Sequence, residues 1–168
     1  FLALLPLKSF AQAETCQTNI QSIQAIKSNA KNLDQLPANG WSSIKTLPDL
    51  WRKRWPEYSG STWYQVQWSY QCPTDKKLPI TLVISNINMA GALYSNGDFV
   101  WQDQSIHEPL SRSWHQPRYW ILNSSGLQQG KNILLIQVIG TPTQQSGLGQ
   151  IWLGEHAKMM PIYTHQRL

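Results

Sequence analysis

The segment Glu108-Pro109-Leu110-Ser111-Arg112-Ser113-Trp114-His115-Gln116-Pro117-Arg118-Tyr119-Trp120 concentrates the side chains best suited to chemistry. Arg112 and Arg118 carry planar guanidinium forks that match a carboxylate or phosphate. Trp114, Tyr119 and Trp120 offer flat faces on which a sugar or ring can stack. His115 belongs to the side-chain type that titrates near neutrality, and Glu108 adds an acceptor. Asn88 contributes an amide able to bond a ligand or to satisfy a turn. The expected ligand-binding set is therefore Arg112, Trp114, His115, Arg118, Tyr119, Glu108 and Asn88. The same residues also admit a structural reading, in which the tryptophans plug one end of a sandwich and the arginines pair with Glu108, Asp103 or backbone carbonyls.

Catalysis finds less support. Glycoside hydrolysis needs two carboxylates across a cleft. The candidates among the nine acidic residues are Glu57, Asp98, Asp103, Glu108 and Glu155, most of them at expected turns. There is no Ser-His-Asp order, no glycine-rich phosphate loop and no cysteine in an activating context. Neither a CxxC nor an HxxxH spacing occurs. The chain is thus expected to be non-catalytic by itself, without cofactor or metal.

The elements that must position these residues read as strands. Trp63 to Tyr70 alternates aromatic or branched residues with polar ones, the pattern of a half-buried strand. Leu78 to Ser85 and Tyr119 to Leu122 give two more, and Trp41 to Ile44 and Gln150 to Leu153 are shorter ones. Ala90 to Trp101 holds Asn96-Gly97 between two β-prone arms, the signature of a type I′ hairpin. Gly130-Lys131-Asn132 turns the chain into Ile133 to Ile139, an almost wholly apolar strand. Helical periodicity is absent from 60 to 153. Earlier in the chain Ile20, Ile23 and Ile26 recur every three residues, which predicts a short amphipathic helix or an irregular segment. Trp41, Trp63, Trp68 and Trp152 are expected in the core. In Trp51-Arg52-Lys53-Arg54-Trp55, basic residues facing solvent between two core tryptophans are favoured over an interaction surface.

Nine tryptophans, 14 % charged residues and a net charge of +5 suit a β-rich exported domain. The basic residues are too scattered for a nucleic-acid stripe. Residues 1–13 read as the remnant of a signal peptide, with Phe1-Leu2-Ala3-Leu4-Leu5-Pro6-Leu7 as its apolar run and Ala11-Gln12-Ala13 as its small-residue end. The expected division is then a polar segment over 14–40, a sandwich over 41–155 and a juxtamembrane or linker segment over 156–168. In an exported chain the pair Cys16 and Cys72 predicts a disulfide.

The ordered set Leu47-Pro48-Asp49-Leu50-Trp51, Gly60-Ser61-Thr62-Trp63-Tyr64, Leu82-Val83-Ile84, Tyr94-Ser95-Asn96-Gly97 and Gly130-Lys131-Asn132-Ile133-Leu134 resembles the N-terminal sugar-binding jelly roll of family-two glycoside hydrolases. That resemblance, over about residues 44 to 140, implies an all-β jelly-roll β-sandwich of the galactose-binding-like kind. The segment 108–120, taken with Asn86-Ile87-Asn88-Met89-Ala90-Gly91, resembles the periplasmic input domain of membrane-bound sensor histidine kinases and diguanylate cyclases. It implies a periplasmic sensor domain, anchored in the inner membrane by a segment further along the full-length protein. The implied partners are a small-molecule ligand, sugar or anion, or a periplasmic protein, with no nucleic acid, and a homodimer of the full-length protein is compatible with this. The alternatives are a carbohydrate-binding module of a glycoside hydrolase and a protein-interaction domain.

Overall fold

The computed structural model describes residues 15–73, 78–112 and 115–168. Among the described residues twelve strands and two α-helices follow in order, besides short 3-10 turns at Leu33–Gln35 and Ser124–Gly126: β1 (Gln17–Lys27), β2 (Ser42–Ser43), β3 (Asp49–Leu50), α1 (Trp51–Arg54), β4 (Gly60–Gln71), β5 (Ile80–Ile84), β6 (Ile87–Asn88), β7 (Ala90–Ser95), β8 (Asp98–Gln102), β9 (Arg118–Leu122), β10 (Gly130–Gly140), β11 (Gly147–Leu148), β12 (Ile151–Glu155) and α2 (His156–Gln166). All the pairings are antiparallel.

One layer is a six-stranded sheet in the order β2-β1-β4-β10-β7-β8. The other combines β3-β11-β6 with β12-β5-β9. These two short sheets run into each other, because Ser85 N donates to Gln150 O at 3.0 Å and Gly149 N to Asn86 O at 2.9 Å. Side chains that alternate along β4 and β10 supply the contents between the layers. Tyr64, Val66, Trp68 and Tyr70 meet Leu134, Ile136 and Val138 from the same sheet and Ile80, Leu82 and Ile84 from the other. This is the all-β jelly-roll sandwich expected from the sequence.

β1 corrects the expected helix. It pairs along β4 from Gln17↔Gln71 to Lys27↔Thr62, inside the main sheet. The register shifts between Ile20 and Ser22, so a bulge at Gln21 turns a spacing of three into one face. Ile20 lies opposite Trp68 and Ile23 opposite Val66, both on the core side. The residues expected as a juxtamembrane or linker segment after Glu155 form α2, which packs against β5, β9 and β12. Trp63 and Trp68 are fully buried as expected, whereas Trp41 and Trp152 are only half-buried. Trp152 lies opposite Val83 on the face turned toward α2, and Trp41 donates from Nε1 to Pro37 O at 2.8 Å near the surface.

The recurring motifs close the sandwich from inside. Trp51 Nε1 donates to Tyr64 Oη at 2.8 Å, and Tyr64 Oη donates to Asp49 Oδ2 at 2.7 Å. Arg54 Nε meets the other Asp49 oxygen at 3.2 Å. Burial, reinforced by the Asp49 charge, holds the Tyr64 hydroxyl far above its ordinary range, so it stays a neutral donor. At the opposite end Asn132 is 1 % exposed. Its Oδ1 accepts from Asn96 Nδ2 at 2.7 Å and from Gln128 N at 2.8 Å, while Nδ2 donates to Gln128 O at 2.7 Å. The hairpin itself has positive φ at both Asn96 (49°) and Gly97 (88°), as a type I′ turn requires. Cys16 and Cys72 form the expected disulfide, with Cα atoms 4.2 Å apart, and it staples the start of β1 to the end of β4. A disulfide of this kind points to an extracellular or periplasmic location. No helix among the described residues is long and apolar enough to cross a membrane.

Candidate functional site

The outer face of the six-stranded sheet carries the alternate residues of its strands. Ser61 and Trp63 of β4 lie opposite Ile139 and Gln137 of β10, and Gln137 lies opposite Ala92 of β7. Two segments fold over this face. After β1 the chain turns at 28–31, where Ser28 N donates to Ser61 O at 3.0 Å and Lys31 N to Gln35 Oε1 at 3.0 Å. On the other side the 103–112 loop is anchored by Leu110, which packs with Met89, Ala90 and Ile139. Ser111 N donates to Ser105 O at 3.0 Å, and Ser105 N donates to Ser111 Oγ at 2.9 Å, closing that loop on itself.

Between the two segments runs a groove of about 320 Å³. Its floor is Ser61, Gln137 and Ile139, one wall is Asn29 to Lys31, and the other is Ile106 and His107. Gln137 Nε2 donates to Ser61 Oγ at 2.9 Å, which fixes the amide at the floor. Gly60 stands at the rim with φ of 143°, and a Cβ there would come 2.9 Å from Tyr58 Oη. Hydrogen-bonding groups thus alternate with the aliphatic surfaces of Ala30, Ile106 and Ile139, and the lining holds no carboxylate among the described residues. Such a mixture suits a compact ligand that has hydroxyls on its edge and C–H groups on its faces.

The residues expected at the site are placed as follows. Arg118 leaves β9 on the core side, opposite Ile84, and inserts between the layers. Its guanidinium lies 4.6 Å from the Trp101 ring centre and 3.3 Å from Asp103 Oδ2, which also accepts from Gly91 N at 2.9 Å. Tyr119, its neighbour, points to the other face, as strand periodicity demands. There it makes an edge contact with Tyr163 of α2 at 4.8 Å. Asn88 is buried at the β6–β11 ladder, where its Nδ2 donates to Gln145 O at 2.8 Å. Glu108, Arg112 and His115 are exposed on the surface loop. Trp114 lies outside the described residues. Arg118, Tyr119 and Asn88 therefore occupy three different environments and do not converge on one pocket.

The groove residues Asn29, Lys31, Ser61, His107 and Gln137 were missed by the sequence reading. One signal was present, since Gln137 is the only polar residue in the run Ile133 to Ile139. A polar side chain in such a strand has to find a partner or face a polar site.

The architecture has solved counterparts. A family-two glycosyl hydrolase member from Bacteroides cellulosilyticus matches with a TM-score of 0.61 at 14 % identity, over 83 % of this chain and 20 % of that one. A β-glucuronidase from Faecalibacterium prausnitzii matches with 0.56 at 15 % identity, over 81 % and 22 %. A calcium-binding mutant of Bacteroides uniformis β-glucuronidase 2 matches with 0.55 at 20 % identity, over 82 % and 18 %. The shared property is the sandwich. The chain spans about a fifth of the length of these proteins, and at this identity the likeness concerns the fold alone. No family model and no curated protein matches.

Proposed function

We propose that this domain is an exported, non-catalytic binding module whose outer-face groove takes a carbohydrate of one or two rings. The observation that carries the reading is the groove itself, with an amide and a hydroxyl on its floor and aliphatic walls above them. Its volume lies at the small end of the range for small-molecule sites. The likeness of the sandwich to parts of glycoside hydrolases adds support from architecture. A panel of neutral mono- and disaccharides, titrated against the ¹⁵N-labelled domain, tests this. The expected result is saturable shifts at the amides of Asn29, Lys31, Ser61 and His107, with affinity about tenfold lower in Asn29→Ala, as loss of one good hydrogen bond implies. Shifts confined to Arg112 and His115 would move the site to the 108–120 segment, and no shift with any sugar would end the carbohydrate reading.

A second reading, a sensory input module of a membrane-bound signalling protein, draws on α2. This helix follows β12 without a linker and is tied back to the sheet, with Thr81 Oγ1 2.9 Å from His156 Nδ1 and Tyr119 against Tyr163. A shift of β9 on ligand binding would therefore be passed to α2. Sequencing the gene past Leu168 decides between the two. A membrane span with a kinase or cyclase favours the sensor, and an immunoglobulin-like segment with a barrel favours the glycosidase accessory domain.

A further inference from the structure

The segment 43–48, β3 and α1 enclose a second pocket of about 300 Å³ that shares no lining residue with the groove. Lys45, Lys53 and Arg54 line it together with the hydroxyl-bearing Ser43 and Thr46, and Asp49 is its carboxylate. We infer that this pocket is an oxyanion site that takes a phosphate or sulfate ester group of a ligand.

The argument begins with the acid. Asp49 is 7 % exposed, and both its oxygens are engaged, one by the Tyr64 hydroxyl and the other by Arg54 Nε. It therefore offsets one cation of the three, and among the described residues its ion pair is to Arg54 and not to Lys45 or Lys53. The Arg54 guanidinium carbon lies over the Trp55 ring, 4.0 Å from its centre, in a cation–π contact. Arg54 Nε, within ion-pair range of Asp49, and Nη2 are buried without a hydrogen-bond partner among the described residues, while the side chain as a whole keeps 26 % exposure and lines the pocket. A guanidinium held by Asp49 and Trp55 that lines the pocket together with two lysines is a donor set that a tetrahedral oxyanion satisfies.

The walls are built rather than incidental. Ile44 N donates to Ile23 O at 2.8 Å, which ties the 43–48 segment to β1. Gln150 Nε2 donates to Leu47 O, and Trp51 N donates to Ser146 O at 3.0 Å. Lys45 and Lys53 are exposed, so they reach the pocket from solvent and carry no part of the core. The site stands independently of the sugar groove.

The test titrates inorganic phosphate and inorganic sulfate into the intact domain, against sodium chloride of matched ionic strength, with amide shifts as the readout. The expected result is saturable shifts over residues 43–54, weakened at least about tenfold in Lys45→Ala/Lys53→Ala and unchanged in Lys131→Ala. Both lysines are exposed, and circular dichroism checks that the double variant keeps its fold. Glucose 6-phosphate, glucose 6-sulfate and vesicles containing phosphatidylglycerol then separate a free ester from a lipid headgroup as the source. Equal weakening by Lys131→Ala, or shifts reproduced by sodium chloride, would reduce the effect to general attraction and overturn the site. Absence of shifts at 43–54 would overturn it as well, and would leave the sugar reading untouched.

Discussion

Arg112 and Arg118 belong to one segment but meet different physics. Arg112 is exposed, so truncating it removes a solvated charge and little else. Arg118 is 15 % exposed and faces Asp103, whose carboxylate also binds the Gly91 amide. Arg118→Ala would take the guanidinium charge away from that buried carboxylate, a loss of about 3 kcal/mol. The expected outcome in urea denaturation is a midpoint well below the parent for Arg118→Ala and within error for Arg112→Ala. Equal and small shifts in both would mean that the Arg118–Asp103 pair contributes little. The basic run around α1 divides in the same way. Trp51 is buried and hydrogen-bonded, Arg54 pairs and stacks, while Arg52 and Lys53 face solvent.

At the scale of elements, β1 shows how one extra residue changes a pattern. A strand read in strict alternation cannot place Ile20 and Ile23 on the same face, and a helix can. The bulge at Gln21 gives the strand that spacing, and Gln21 Oε1 accepts from Gln67 Nε2 at 3.2 Å. Deleting Gln21 should therefore remove the bulge and leave Ile20 opposite Trp68 on the core side of a regular ladder. Replacing Ile20 itself by Asn would lose the burial of a half-buried side chain, about 1 kcal/mol, and a buried amide would add to the loss. The thermal midpoint should fall by several degrees in Ile20→Asn and stay close to the parent on deletion of Gln21, and a deletion midpoint as low as that of Ile20→Asn would show that the bulge itself is needed to hold Ile20 in place. The hairpin and the β10 turn follow a different logic. Asn96 and Asn132 bond each other and the backbone around them, so both motifs were visible as sequence because the chemistry is local.

Over the whole molecule, the termini of the β1–β4 pair are held by the Cys16–Cys72 bridge, with Cys16 N also donating to Glu155 Oε1 at 2.5 Å. The two cysteines are 56 positions apart, and closing a loop of that length restricts the unfolded chain by about 4 kcal/mol in the chain-entropy description. Cys72→Ser should thus lower stability by a few kcal/mol while the sheet persists, read as a reduced denaturation midpoint with an unchanged strand signature in circular dichroism. An unchanged midpoint would mean that the bridge constrains nothing the fold does not already hold. The two candidate sites lie on separate surfaces of this frame. One is floored by β4 and β10, and the other is walled by the connections around β3.

What the amino-acid sequence determined by itself was whatever depends on neighbours along the chain. Alternation at 63–70, the apolar run at 133–139, the Asn96-Gly97 turn and the paired cysteines all specify local geometry or a covalent bond, and together they define a β-sandwich. The sites were decided only by the tertiary structure. The groove gathers residues from 29–31, 60–61, 106–107 and 137–139, and the cationic pocket draws on 43–54 with its acid neutralised by Tyr64 and Arg54. Residue type along 108–120 suggested a ligand site, but strand periodicity sent Arg118 inward and Tyr119 outward. A strand's two faces belong to different environments, and which of them is a core, a groove or a helix seat depends on what the rest of the chain lays against it.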